Sequence, residues 1–360
     1  MVVIVSLMFW CSAEDALNSV VGEQLDALEL SKIEDSLPRD TLDKIGGVTD
    51  GTTLDGGLSS IINSARDELS GVAGAAVRSS MKILAAALLC SLASLFVSNG
   101  APDVVSIAGV LTVTLIATND LNSLFVLGSD TLSSLSTFSK AILPPLAAIT
   151  TAAGRPGTAA AIQLVSVIVS DFLITLMQRY FIPLTYVFLA SKALSCALKN
   201  DLLGRIAGLI KWALAGFLKL AVGAFTAYLT ISGAVAAAGD SLTLKAAKFT
   251  LSGGVPVVGG VLSDAAGTVL AGAAVIKNSL GIFGLLAVLS VCILPVLNLG
   301  VQHLLFKIMA AVMSPVAGGA VSELAVGISD AFGLMLGMCA SGAFLLILSF
   351  SAALIAGGSF

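Results

Sequence analysis

Charge is scarce in this chain. Asp, Glu, Lys and Arg make up 11% of its 360 residues, where a soluble domain carries about 25%. The hydrophobic share is 57% and the mean hydropathy is +1.03. Those values exclude an ordinary soluble domain and predict an integral membrane protein. Histidine is nearly missing. His303 stands alone, which argues against His-based metal centres and Ser-His chemistry, and it reads as an interfacial residue at a helix end. The five cysteines, Cys11, Cys90, Cys196, Cys292 and Cys339, are far apart and form no C-x-x-C. Neither a disulfide framework nor a zinc site is suggested.

Other absences narrow the function. There is no Walker loop, so nucleotide hydrolysis by that route is not expected. AAGD (237–240) lacks the Gly-x-Gly-Asp of aspartyl intramembrane proteases, and CASG (339–342) lacks the glycine two before the serine of rhomboid-like sites. No basic, aromatic-rich stretch suggests nucleic-acid binding. The expectation is a protein that is not an enzyme and needs no cofactor or metal.

What charge there is sits unevenly. Residues 14–78 hold 13 of the 22 acids and 5 of the 18 bases, and the remainder of the chain carries a net positive charge. Three regions follow. Residues 1–13 read as a signal peptide: an apolar core at 2–9, then Cys11-Ser12-Ala13 with small residues before a cleavage point. No basic residues precede that core, which places the true start a few residues upstream. Residues 14–80 form an acidic head. Leu17, Val21, Leu25 and Leu28 recur at helical spacing up to Pro38, and Leu58, Ile61, Ile62, Ala65, Leu69 and Val72 make a second stripe. Between them DKIGGVTDGTTLDGG reads as a linker. Residues 81–360 form the membrane domain.

A helix crosses a bilayer with about 20 apolar residues. Candidate crossings are 82–98, 104–119, 131–151, 158–178, 180–198, 211–236, 279–298 and 332–356, with 261–276 and 308–328 as half-spans. The fold class is therefore an all-α polytopic membrane protein of about eight transmembrane helices. Pro144-Pro145 predicts a broken or kinked third crossing. The densest basic stretch, Lys192, Lys199, Arg205, Lys211 and Lys219, belongs in the cytoplasm. Counting back through five crossings puts the head outside. Asp120, Asp130 and Arg179 then fall in outer loops, Arg155 and Lys307 inside, and the C-terminus outside.

The stretch SGGVPVVGGVLSDAAGTVLAGAAVIKNSLG (252–281) joins two Gly-Gly pairs and a proline to apolar sequence. Irregular backbone survives in a membrane only when buried in protein or lining a wet cavity. A re-entrant element fits, with Gly253, Gly254, Pro256, Gly259 and Gly260 in its loop and Lys277 behind it. A half-helix then begins near Ser263-Asp264, capped by Ser263. Gly267 and Ala271 allow another helix to approach. GVLSDAAGTVLAG (260–272) aligns without gaps to VGISDAFGLMLGM (326–338), and Gly333, Gly337 and Ser341 make a second small-residue ridge. Ser170-Asp171 lies in a third apolar run. Intramembrane charges are functional candidates. They are Asp171, Asp264, Asp330 and Glu323, with Lys277 and Lys307 placed to neutralise them. Each acid reads equally as a cap or as an ion-pair partner that fixes packing.

At GGVPVVGGVLSDAAGTVLAGAAVIKNSLGIFGLL (253–286), ILPVLNLGVQHLLFKIMAAVMSPV (293–316) and PPLAAITTAAG (144–154), the chain resembles the stage III sporulation protein AE family of endospore-forming bacteria. The resemblance implies a multi-pass protein of the mother-cell membrane around the engulfed forespore. It implies membership of the SpoIIIA–SpoIIQ transenvelope complex, with other SpoIIIA-type membrane proteins and a SpoIIQ-type forespore protein as partners, and homo-oligomerisation as an option. The chain would be a core or channel-like subunit of a secretion-like conduit. The family brings no established catalytic residues. The residues alone leave a second reading open: a stand-alone secondary transporter with paired broken helices and Asp171 coupled to an ion.

Overall fold

A computed structural model of the chain describes residues 30–45, 54–96, 102–152, 158–253, 259–315 and 319–356. The expected signal peptide and the 17–28 stripe lie outside the described residues. Among the described residues two short helices come first, α1 (Leu30–Asp35) and α2 (Arg39–Ile45). Pro38 separates them, as its fixed φ and missing N–H require. Then come long helices: α3 (Leu54–Phe96), α4 (Pro102–Ala152), α5 (Thr158–Leu176), α6 (Ile182–Leu198), α7 (Asp201–Gly253), α8 (Gly259–Met313) and α9 (Gly319–Ala356). A π-helical turn, Met177–Phe181, joins α5 to α6 in one rod. Pro183 follows that turn. Its ring would clash with the carbonyl four residues back, and the wider π turn, in which the Ile182 N–H bonds to the Met177 carbonyl, gives it room.

Six helical rods among the described residues are long and apolar enough to cross a membrane, within Asp55–Ala93, Ile107–Ile142, Ile168–Leu198, Asp201–Ile231, Ser279–Met313 and Gly319–Ser351. The rods redraw the boundaries of the eight segments read from hydropathy. The stretches 104–119 and 131–151 are two parts of α4, and 158–178 and 180–198 are two parts of the α5–α6 rod. Asp120, Asp130 and Arg179, expected in outer loops, lie inside these rods. The helical backbone of α4 continues through Pro144 and Pro145, and that of α8 through Pro295. A proline deletes one donor, and in a packed bundle neighbouring helices hold the backbone in place. α3 runs through the boundary expected at residue 80. Its first turn also takes in the last four residues of the expected linker, LDGG (54–57).

The first four rods pack antiparallel in chain order. Cys90 on α3 lies beside Gly109 on α4, and farther from that turn Ser79 donates to Asp120. Gln178 reaches the Ser129 carbonyl (3.2 Å), and Phe125 stacks edge-on to Tyr186. Phe181 meets Phe217, so α6 and α7 also form a hairpin. The α6–α7 turn is two residues long. Lys199 takes a left-handed conformation with φ 50°, the usual way to stop a helix. Asn200 Oδ1 then accepts the Leu202 N–H at 2.9 Å and opens α7.

The last helix is the hub. α9 packs against α4, α5, α6, α7 and α8, and α8 carries α2 and α3 on its other side. Leu324, Ile328, Phe332, Met335, Met338, Leu345, Leu346 and Phe350 of α9 are all buried. Gly128 lets α4 approach it. A Cβ there would stand 2.6 Å from Met335 Cε, and Cys339 Sγ lies 3.7 Å from the Gly128 carbonyl. The outer faces of α3, α4, α6 and α7 carry exposed Leu89, Leu115, Val187, Leu209 and Trp212. Such a belt suits lipid.

Candidate functional site

Polar groups on α9 recur every seven residues. Ser322 and Ser329 share one face; Glu323 and Asp330, one position on, share its edge. Seven residues are close to two helical turns, so each pair points the same way. The serines lock α9 to α8. Ser322 Oγ donates to the Ala310 carbonyl (2.9 Å), and Ser329 Oγ to the His303 carbonyl (2.8 Å). His303 Nδ1 lies 2.7 Å from the Ser329 carbonyl. That carbonyl can only accept, so Nδ1 carries the proton. His303 is therefore a helix-to-helix tie inside the bundle rather than an interfacial residue at a helix end.

The acids tie α9 to the other side. Lys192 on α6 pairs with Glu323 at 3.2 Å, and Lys211 on α7 pairs with Asp330 at 2.6 Å. The aliphatic stem of Lys192 passes over Gly327, where a Cβ would stand 2.5 Å from its Cγ. The partners expected for these acids are corrected: neither Glu323 nor Asp330 pairs with Lys307. Position explains the change. Lys192 and Lys211 flank the tight α6–α7 turn, which lies beside the N-terminal half of α9.

Asp171 forms a separate polar centre. Its Oδ1 accepts from Ser136 Oγ (2.5 Å) and pairs with Lys140 Nζ (3.2 Å), both on α4. The adjacent Ser170 is buried and donates to the Ser166 carbonyl. The two centres are far apart. Ile174 on α5 touches α9 at Gly342, about 28 Å along α9 from Glu323, and because α5 runs the other way Asp171 lies about 33 Å from it.

The loop expected in the glycine-rich stretch falls largely on residues outside the described ones. Gly254 and Pro256 lie outside the described residues. Of Gly253, Gly259, Gly260, Asp264, Gly267, Ala271 and Lys277 only the backbone is described. That backbone corrects the half-helix. α8 starts at Gly259 and runs unbroken to Met313, so Ser263 lies inside the helix and cannot cap it. The SDA runs also differ in position: 263–265 stand in the first turns of α8, whereas 329–331 stand well inside α9. The second ridge splits between neighbours. Gly333 faces His303 on α8, with a Cβ only 3.0 Å from the ring, and Gly337 faces Leu218 on α7. Ser341 is half-buried.

Asp171, Glu323 and Asp330 were legible from sequence; Lys140, Lys192 and Lys211 were missed as their respective partners. The seven-residue spacing of Ser322/Ser329 and Glu323/Asp330 was the available signal. Chemically, the described centres are neutralised ion pairs and hydroxyl ties. Among the described residues no group of His, Cys, Asp and Glu is placed to hold a metal ion.

Known proteins match over most of the chain. Residues 53–357 match the family described as stage III sporulation protein AE. The chain belongs to the stage III sporulation protein AE family. The match takes in every long rod, from the start of α3 to the end of α9. Stage III sporulation protein AE of Bacillus subtilis (strain 168) is 25% identical over 207 residues, covering 58% of this chain and 52% of that relative. The aligned part thus spans about half the length of the curated relative. No solved structure matches.

Proposed function

We propose that this chain works in sporulation as a membrane core subunit, channel-like in role, of a transenvelope complex between mother cell and forespore. The single observation behind this is family membership over residues 53–357. On this reading the chain sits in the mother-cell membrane around the forespore, and SpoIIIA-type and SpoIIQ-type proteins are its partners. The acidic N-terminal region faces away from the cytoplasm. Three rods separate residue 54 from the basic turn at Lys199. Three is odd, as five was, so the positive-inside assignment keeps the head outside. The expected outer position of the C-terminus is also unchanged; Arg155 lies outside the described residues.

The stand-alone transporter reading has less support. Its central argument was a pair of broken helices, and the glycine-rich breaks expected at 253–260 and 316–321 fall largely outside the described residues. Deleting the gene in its own host tests the proposal. Vegetative growth should be normal, and forespores should stall after engulfment when followed by fluorescence microscopy. A growth defect, or a normal yield of spores, would refute it.

A further inference from the structure

Two buried hydroxyls at one junction have no partner. Ser139 on α4 and Ser349 on α9 are each 0% exposed, and neither Oγ has a hydrogen-bond partner. An orphaned hydroxyl in a dry core is costly, and native structures seldom keep one. Helical serines usually bond back to their own helix, as Ser170 does nearby.

The register brings the two together. A Cβ at Gly342 of α9 would meet Leu132 (3.0 Å) and Leu135 (3.6 Å) of α4 and Ile174 (3.7 Å) of α5. Two turns further along the same face of α9 stands Ser349. α4 runs parallel to α9, so two turns beyond Leu132 on its matching face stands Ser139. Phe138 and Phe350, the sequence neighbours of the two serines, stack at 6.0 Å, which confirms the common level. α5 runs the other way, and one turn back from Ile174 stands Ser170, next to Asp171. The α4 turn that carries Ser139 also carries Ser136 and Lys140, which hold Asp171. The Lys140 side chain is 60% exposed and that of Asp171 24%. One turn of α4 thus carries both the exposed Lys140 and the buried Ser139, with Ser136 of the same turn bonded to Asp171.

We propose that water enters the bundle between α4, α5 and α9 along Lys140, Asp171 and Ser136 and binds at Ser139 and Ser349. Water fits better than a cation. The Lys140 ammonium already neutralises Asp171, so the junction offers no excess negative charge. Two hydroxyls need both a donor and an acceptor, and water supplies both. The inference stands apart from the sporulation reading, since it concerns solvent inside this chain alone.

Labelling of the purified full chain in detergent with a small cationic thiol reagent, mapped by peptide mass, tests it. Ser139→Cys and Ser349→Cys should react at least about ten-fold faster than the native Cys292 and Cys339, which are buried among apolar side chains. Reaction no faster than those internal controls would overturn the crevice. Should a cysteine variant misfold, Ser139→Ala and Ser349→Ala decide. Removing a hydrated hydroxyl lowers the Tm. An unchanged or higher Tm means the hydroxyl was dry and overturns the proposal.

Discussion

Two glycines on the long helices should respond to the same substitution with different stability changes. A Cβ at Gly128 would stand 2.6 Å from Met335 Cε and 2.9 Å from its Cγ. Met335 is fully buried at the α4–α9 contact, so it has little room to retreat. A Cβ at Gly216 on α7 would meet nothing within 4 Å. Replacing either glycine by alanine gains about 1 kcal/mol of helix propensity. At Gly128 an overpacking cost of about 1–3 kcal/mol opposes that gain. The net change for Gly128→Ala is then a loss of about 0–2 kcal/mol, while Gly216→Ala is stabilising. The difference between the two variants is the cleaner number, because propensity cancels and about 1–3 kcal/mol of packing remains. Unfolding in mixed micelles, followed by exposure of the buried Cys292 to a thiol-reactive fluorophore, measures it. Met335→Ala should cost less in the Gly128→Ala background than alone, since the new Cβ fills part of the space Met335 leaves and contacting residues are not additive. Equal stability of Gly128→Ala and Gly216→Ala would show that α4 and α9 do not meet closely at Gly128.

Two further outcomes are expected. Asp330→Asn should weaken the α7–α9 contact by ~1 kcal/mol at most, because Lys211 is 46% exposed and solvent screens the pair. Lys211→Met should then cost less in the Asp330→Asn background than alone; equal costs in the same unfolding assay would mean that the two do not interact. Gly109→Cys should form a disulfide with native Cys90, whose Cβ lies 3.3 Å from the position of the new one, close to the spacing a disulfide needs. A non-reducing peptide map that shows no such bond would contradict the α3–α4 hairpin register.

Much of the architecture was legible because it follows from composition. Low charge and apolar runs left helices in a membrane as the way to satisfy the backbone. The stripe at Ile61 and Ala65 was visible as periodicity, and both residues are buried against the bundle. Its neighbours Ile62 and Leu69 are exposed, since a stripe read from spacing is wider than the face a packed helix covers. Helix ends were harder. A hydropathy window reports transfer to lipid, and polar residues such as Asn119, Asp120 and Asp130 lower it without breaking a helix. Hence α4 looked like two crossings. Proline was misleading for the converse reason: Pro144 and Pro145 remove donors, but the packed helix continues.

By itself the sequence determined the class of the protein, the family through its 253–286 and 293–316 stretches, and the residue types that could carry charge into the bundle. These depend on local chemistry, which each segment holds alone. Only the tertiary structure decided which charges meet. Lys211 and Asp330 are 119 residues apart along the chain, and nothing in either neighbourhood names the other. Their pairing depends on the antiparallel order of the rods and on the turn at Lys199–Asn200. The same holds for Ser139 and Ser349: each is an ordinary helical serine until the register of α4 against α9 brings them to one level.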